Sequence, residues 1–166
     1  MAAGGGTLTT YIPDQPNPTG LTFDRSGNLY VADVNSHTVR VYNTARTLIR
    51  TIADRVHGPV GMAFDGRGNL FIANRFDSVI TRVDTAGIVT DFAWIPAVNA
   101  LVCDRYGNLI AAEADDYDGH IYFISSKGTV YLLAATYTNP GGLAFDAAGN
   151  LYVASWSGGI IQKFTF

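Results

Sequence analysis

The stretch EADDYDGH, residues 113–120, sets four carboxylates (Glu113, Asp115, Asp116, Asp118) and one histidine (His120) within eight positions. Carboxylates this dense are hard oxygen donors, the ligand set that calcium takes six to eight at a time. The EF-hand spacing does not fit, however. A loop begun at Asp116 puts Ile121 where the obligatory glycine belongs and Lys127 where the bidentate glutamate belongs. Zinc is a poorer match still, because His120 has no second histidine at ligand spacing. Two readings stay open beside a calcium site made by these four acids: a solvated acidic loop turned by Gly119, and a loop that touches a ligand directly through Tyr117 and His120. Deciding among them requires the elements that hold the loop.

Those elements repeat. GLTFDRSGNLYVAD starts at Gly20, GMAFDGRGNLFIAN at Gly61, ALVCDRYGNLIAAE at Ala100 and GLAFDAAGNLYVAS at Gly142, so the spacings are 41, 39 and 42 residues. A period near 40 matches one four-stranded propeller blade. Each unit carries the turn D-x-x-G-N, in which aspartate bonds the turn backbone and glycine supplies a positive φ. A continuous apolar run follows (LYVA, LFIA, LIAA, LYVA), as expected of a strand covered on both faces. The fold expected is all-β: a four-bladed β-propeller of four-stranded antiparallel blades. Residues 1–6 are expected to form a flexible lead and 7–166 a single propeller domain, with blades at about 20–52, 61–92, 100–135 and 142–166. The segment 7–12 (TLTTYI) is expected to be an outer strand that completes the last blade and closes the ring, hiding sheet edges. The alternative is exchange, in which that strand completes the blade of another chain.

The order of strands divides the loops between two ends of the propeller. One end takes the D-x-x-G-N turns and the third-to-fourth-strand links. The other takes the second-to-third-strand loops and the passages between blades, with all three histidines (His37, His57, His120) and both tryptophans (Trp94, Trp156). Aromatic groups beside polar ones on loops are costly to hold in water without a purpose. Each second strand ends on a polar residue, Asp33, Asn74, Glu113 and Ser155, so four polar side chains should ring the mouth of a central channel that has room for an ion or water. The candidate ligand-binding residues are Asp33, Asn74, Arg75, Phe76, Trp94, Glu113, Tyr117, His120 and Trp156. No catalytic residue is assigned.

Blade three departs from the others. Seven residues (ADDYDGH) follow its polar strand end where the other blades have five, and Cys103 replaces the phenylalanine found at Phe23, Phe64 and Phe145. A lone cysteine excludes an intrachain disulfide, and no base beside it in sequence suggests a nucleophile.

The motif P-x-G-[ILM]-A-F-D-x-x-G-N-L-Y-V-A-D resembles the NHL-repeat propellers, and more loosely the gluconolactonase and streptogramin-lyase propellers. The resemblance implies the propeller fold and an extracytoplasmic setting; members usually have six blades. An enzyme of the lactonase or lyase type would imply a divalent metal at the channel mouth, held by Asp33, Asn74 and Glu113. The lyase-type W-F-T-E strand ending is absent, so the expectation is a non-enzymatic propeller that binds carbohydrate, peptide or another protein, as a monomer or strand-exchanged oligomer. A subunit of a larger extracellular assembly is a third reading. The formal charge of −3 and the lack of any basic run give no footing for nucleic acid, and no apolar run reaches the length of a membrane span. The opening MAAGGG has no apolar core and does not read as an intact signal peptide.

Overall fold

A computed structural model describes residues 8–114, 119–137 and 139–166. All regular structure among the described residues is β. Blade 1 comprises β1 (Pro18–Phe23), β2 (Leu29–Asp33), β3 (Thr38–Tyr42) and β4 (Leu48–Ile52). Blade 2 comprises β5 (Pro59–Phe64), β6 (Leu70–Asn74), β7 (Val79–Val83) and β8 (Val89–Trp94). Blade 3 comprises β9 (Val98–Cys103), β10 (Leu109–Glu113), β11 (Gly119–Ile124) and β12 (Val130–Tyr137). Blade 4 comprises β13 (Pro140–Phe145), β14 (Leu151–Ser155) and β15 (Ile160–Phe164). Strands within each blade are hydrogen-bonded in sequence order and run antiparallel, giving a four-bladed propeller.

The repeated turn is built by its own side chains. Asp24 Oδ1 accepts from the backbone N–H of Ser26 and of Asn28, each at 2.9 Å, and Asn28 Nδ2 donates to Asp24 Oδ2 at 2.8 Å. Gly27 takes φ 80°, a left-handed conformation in which glycine pays no side-chain penalty. Asp65, Asp104 and Asp146 make the same bonds to Asn69, Asn108 and Asn150.

Blades pack through faces that alternate along the strands. Ala32 opposes Val39, Ala73 opposes Ile80, and Ala112 opposes Ile121; all six are fully buried. The first two pairs lie in apolar clusters shared with the following blade, and Ala112 and Ile121 cluster with Leu151 and Val153 of blade 4. Gly61 allows the inner strands to approach, since a Cβ there would lie 2.7 Å from the Asn99 carbonyl oxygen.

Of the closing strand expected at 7–12, the described part, residues 8–12, forms no strand, and among the described residues the sheet of blade 4 has three strands. Instead Ile12 packs on Leu29, Val31 and Tyr42 of blade 1. Gln15 Nε2 donates to Tyr42 Oη at 3.0 Å, and Arg40 Nη1 donates to Gln15 Oε1 at 3.2 Å. The physical reason lies in the segment that follows. Pro13, Pro16 and Pro18 lack the N–H a ladder needs, and Asp14 adopts a positive φ of 58°. The segment therefore bends over the outer face of blade 1 and covers it.

Candidate functional site on the loop face

The loops at one end of the blades are held by a shared backbone clasp. The residue after each second strand donates its N–H to the passage entering that blade: Val34 to Asn17, Arg75 to Gly58, Ala114 to Ala97 and Trp156 to Asn139. The polar strand-end residues strengthen this clasp. Asp33, fully buried, accepts from the backbone N–H of Ser36 at 2.9 Å and of Asn17 at 3.3 Å, with Arg40 Nη1 at 3.5 Å. Burial alone would raise its pKa, but these donors and the guanidinium together hold it below the usual carboxylate range. Asn74 accepts from the His57 N–H at 3.1 Å and donates to Thr81 Oγ1 at 2.7 Å and to the Arg55 carbonyl at 3.3 Å. Both residues are thus engaged in positioning loops, Asp33 as an acceptor and Asn74 as acceptor and donor.

Glu113 behaves differently. Its Oε2 lies 2.8 Å from His120 Nδ1 and accepts from Tyr122 Oη at 2.9 Å, joining β10 to β11 through side chains. Burial, then the hydrogen bond and charge of Glu113, push the Tyr122 hydroxyl up to about 12, so it stays a donor at neutral pH. Asp115, Asp116, Tyr117 and Asp118, three of the four acids of the calcium reading among them, lie outside the described residues. Among the described residues no group of three or more His, Cys, Asp or Glu could hold a metal ion. Ser155, the fourth strand-end residue, is buried.

A second group, not assembled by sequence reasoning, spans blades 1 and 2. His57 Nδ1 lies 2.8 Å from Asp77 Oδ2, and both side chains are well exposed. His37 Nδ1 accepts the Gly58 N–H at 2.9 Å, which leaves its Nε2 to carry the proton in the neutral ring. The His37 ring stands edge-on to His57 and Phe76, at 6.2 and 5.7 Å between centroids. Phe76 lies over Gly58, where a Cβ would come within 2.7 Å of the ring. The three loops that carry these residues are each placed at this end by the strand order, but their meeting across the blade joint depends on how blades stack. Phe76, Trp94 and Trp156 are 63 %, 63 % and 82 % exposed. Arg75 borders a central cavity of about 540 Å³ between the inner strands β1, β5, β9 and β13.

The NHL-repeat family model matches residues 16–42, which take in β1, β2 and β3. The fold is an NHL-type β-propeller. The chain is similar in structure to virginiamycin B lyase from Staphylococcus aureus, with TM-score 0.71 and 18 % identity over 96 % of this chain and 58 % of that one. It is also similar to a gluconolactonase from Xanthomonas campestris, with TM-score 0.79 and 19 % identity over 95 % of this chain and 61 % of that one. A third similar structure is the calcium-binding protein regucalcin from Agrobacterium tumefaciens, with TM-score 0.73 and 20 % identity over 90 % of this chain and 54 % of that one. The chain spans less than two thirds of the length of each. At these identities the likeness speaks for the fold alone. No curated protein matches the chain by sequence.

Proposed function

We propose that this NHL-type propeller is a non-enzymatic binding module that takes a carbohydrate, a peptide or a protein segment on its loop face, in an extracytoplasmic setting. One observation carries the reading. The buried polar groups at the mouth, Asp33 and Asn74, are engaged in holding loops, while Phe76, Trp94 and Trp156 stand exposed at the same end. Exposed rings supply stacking surface, and the His57–Asp77 pair beside Phe76 supplies hydrogen bonds at low ordering cost on a rigid scaffold.

Both tryptophans of the chain lie on this face, so intrinsic fluorescence reports occupancy directly. Titration with a panel of saccharides and peptides should quench or shift that emission and raise the melting temperature. A ligand at a hundredfold excess over Kd adds about 2.7 kcal/mol of stability. A panel that moves neither signal removes carbohydrate and peptide and leaves the assembly reading.

A specific feature supports a second reading, a metal-dependent enzyme of the lactonase or lyase kind. Among the described residues Glu113 is bonded to the side chains of His120 and Tyr122, whereas Asp33 and Asn74 also accept from loop backbone. A calcium-induced rise in melting temperature that chelator reverses and Glu113→Ala abolishes would favour it.

A further inference from the structure

A cavity lies at the opposite end, among the D-x-x-G-N turns, where sequence offered only turn chemistry. It has a volume of about 620 Å³, sits between blades 3 and 4, and is lined by Cys103, Tyr106, Ile110, Phe123, Phe145 and Phe166, among others. That volume is in the range of small-molecule sites.

The other joints explain its origin. Between blades 1 and 2, Tyr30 packs edge-on to Phe64, with ring centroids 5.1 Å apart, and burial together with the charge of the turn carboxylate Asp24 raises the pKa of its hydroxyl. Phe23 stands beside them, and the corresponding space is about 410 Å³. Between blades 2 and 3, the residue at the position of Tyr30 is Phe71, whose ring meets Phe92 at 4.8 Å. Between blades 3 and 4 the register places Ile110 at the position of Tyr30, Cys103 at that of Phe23 and Phe145 at that of Phe64. Two rings have thus been replaced by smaller side chains, and Phe145 has lost the ring that its counterpart Phe64 packs against. The hydroxyl is missing as well. In blade 4 the turn carboxylate Asp146 accepts from Oη of Tyr152, the residue at the position of Tyr30, at 3.2 Å. Ile110 has no hydroxyl to offer Asp104, whose turn bonds otherwise match those of Asp24.

We propose that this cavity binds a small neutral phenol, its ring against Phe145, in the place that the ring of Tyr30 holds two joints away, and its hydroxyl donated to Asp104, as that of Tyr152 is to Asp146. Apolar cavities of this kind accept aromatic guests because the guest restores contacts that the lining lacks. Substituents on the ring extend toward Tyr106 and Phe166 at the rim. The Cys103 thiol, pushed up to about 12 by burial and by Asp65 and Asp104, stays protonated and serves as an apolar wall.

The test is titration of the full chain with p-cresol, followed by calorimetry and by amide chemical-shift mapping. Shifts should fall on residues 103–110, 123 and 145–149, and p-cresol should bind roughly tenfold more tightly than toluene, the worth of one hydrogen bond to a carboxylate. Ile110→Tyr builds the phenol into the chain and should abolish binding, and Cys103→Phe should weaken it at least tenfold by filling the floor. Both variants install residues that other blades carry, and circular dichroism checks their folding. Shifts that map elsewhere, or saturable binding that survives in either folded variant, would overturn the proposal. So would the absence of saturation at millimolar p-cresol. Equal binding of toluene would overturn the hydroxyl contact. Should one variant not fold, the wild-type shift map and the other variant still decide.

Discussion

Ala73 and Ile80 stand opposite each other on β6 and β7, both with 0 % exposure. Ala154 and Ile161 occupy the same positions of β14 and β15, yet Ala154 is exposed and Ile161 is 75 % exposed. The residue types are the same and the backbone pairing is the same. What differs is the presence of a neighbour: blade 3 covers the face of blade 2, while the face of blade 4 is open. The glycines give the same contrast. A Cβ on Gly61 would strike the backbone of β9, whereas a Cβ on Gly142 would meet only the Ala154 methyl, at 3.2 Å. A repeat therefore encodes a face that is ready to pack, and the energy of that face is realised only where a blade lies against it.

The sharpest way to break this comparison is Ile80→Ala, which empties a packed joint and should cost about 2–5 kcal/mol in urea unfolding. Next in size, Gly61→Ala should cost about 1–3 kcal/mol by overpacking, while Gly142→Ala, which needs only the exposed Ala154 methyl to give by a few tenths of an ångström, should cost clearly less. Equal losses at the two glycines would show that blade 4 is covered in solution. The blade 1 end offers a titratable counterpart, because Asp33 ties the entering loop down. Its pKa is lowered in the folded state, so its contribution is present above the unfolded value near 3.9 and is lost as pH falls through the folded value. Wild type should accordingly lose more stability than Asp33→Asn on going from about pH 5 to about pH 3, measured as the difference in midpoint. The smallest effect expected is at Ile161→Ala, within about 0.5 kcal/mol. A loss there that matches Ile80→Ala would require a partner on the face of blade 4.

Much of the fold could be read in advance because its determinants are local. The D-x-x-G-N turn is closed by bonds within five residues, such as Asp65 to Asn69, and a period near 40 follows from four short strands. The clasp role of Asp33 was likewise open to reading, since its partner Ser36 lies in the adjoining loop. The N-terminal strand was expected because TLTTYI has a strand-like composition, yet residues 8–12 form none, because prolines follow them and Ile12 packs on the Leu29–Val31–Tyr42 face of blade 1. The His37–His57–Phe76 group was out of reach for a related reason. Its members are separated by up to 39 positions and meet only through the stacking of two blades.

The sequence by itself determined the repeat, the turn chemistry, the strand order and hence which loops share an end, because each depends on residue types at short spacing. Only the tertiary structure decided which repeats are buried and which open, how the histidines pair across a joint, and that Ile110 and Cys103 leave a cavity where Tyr30 and Phe23 stand elsewhere. These are properties of contact between blades, and one blade's residues have the same names whether or not another packs against them.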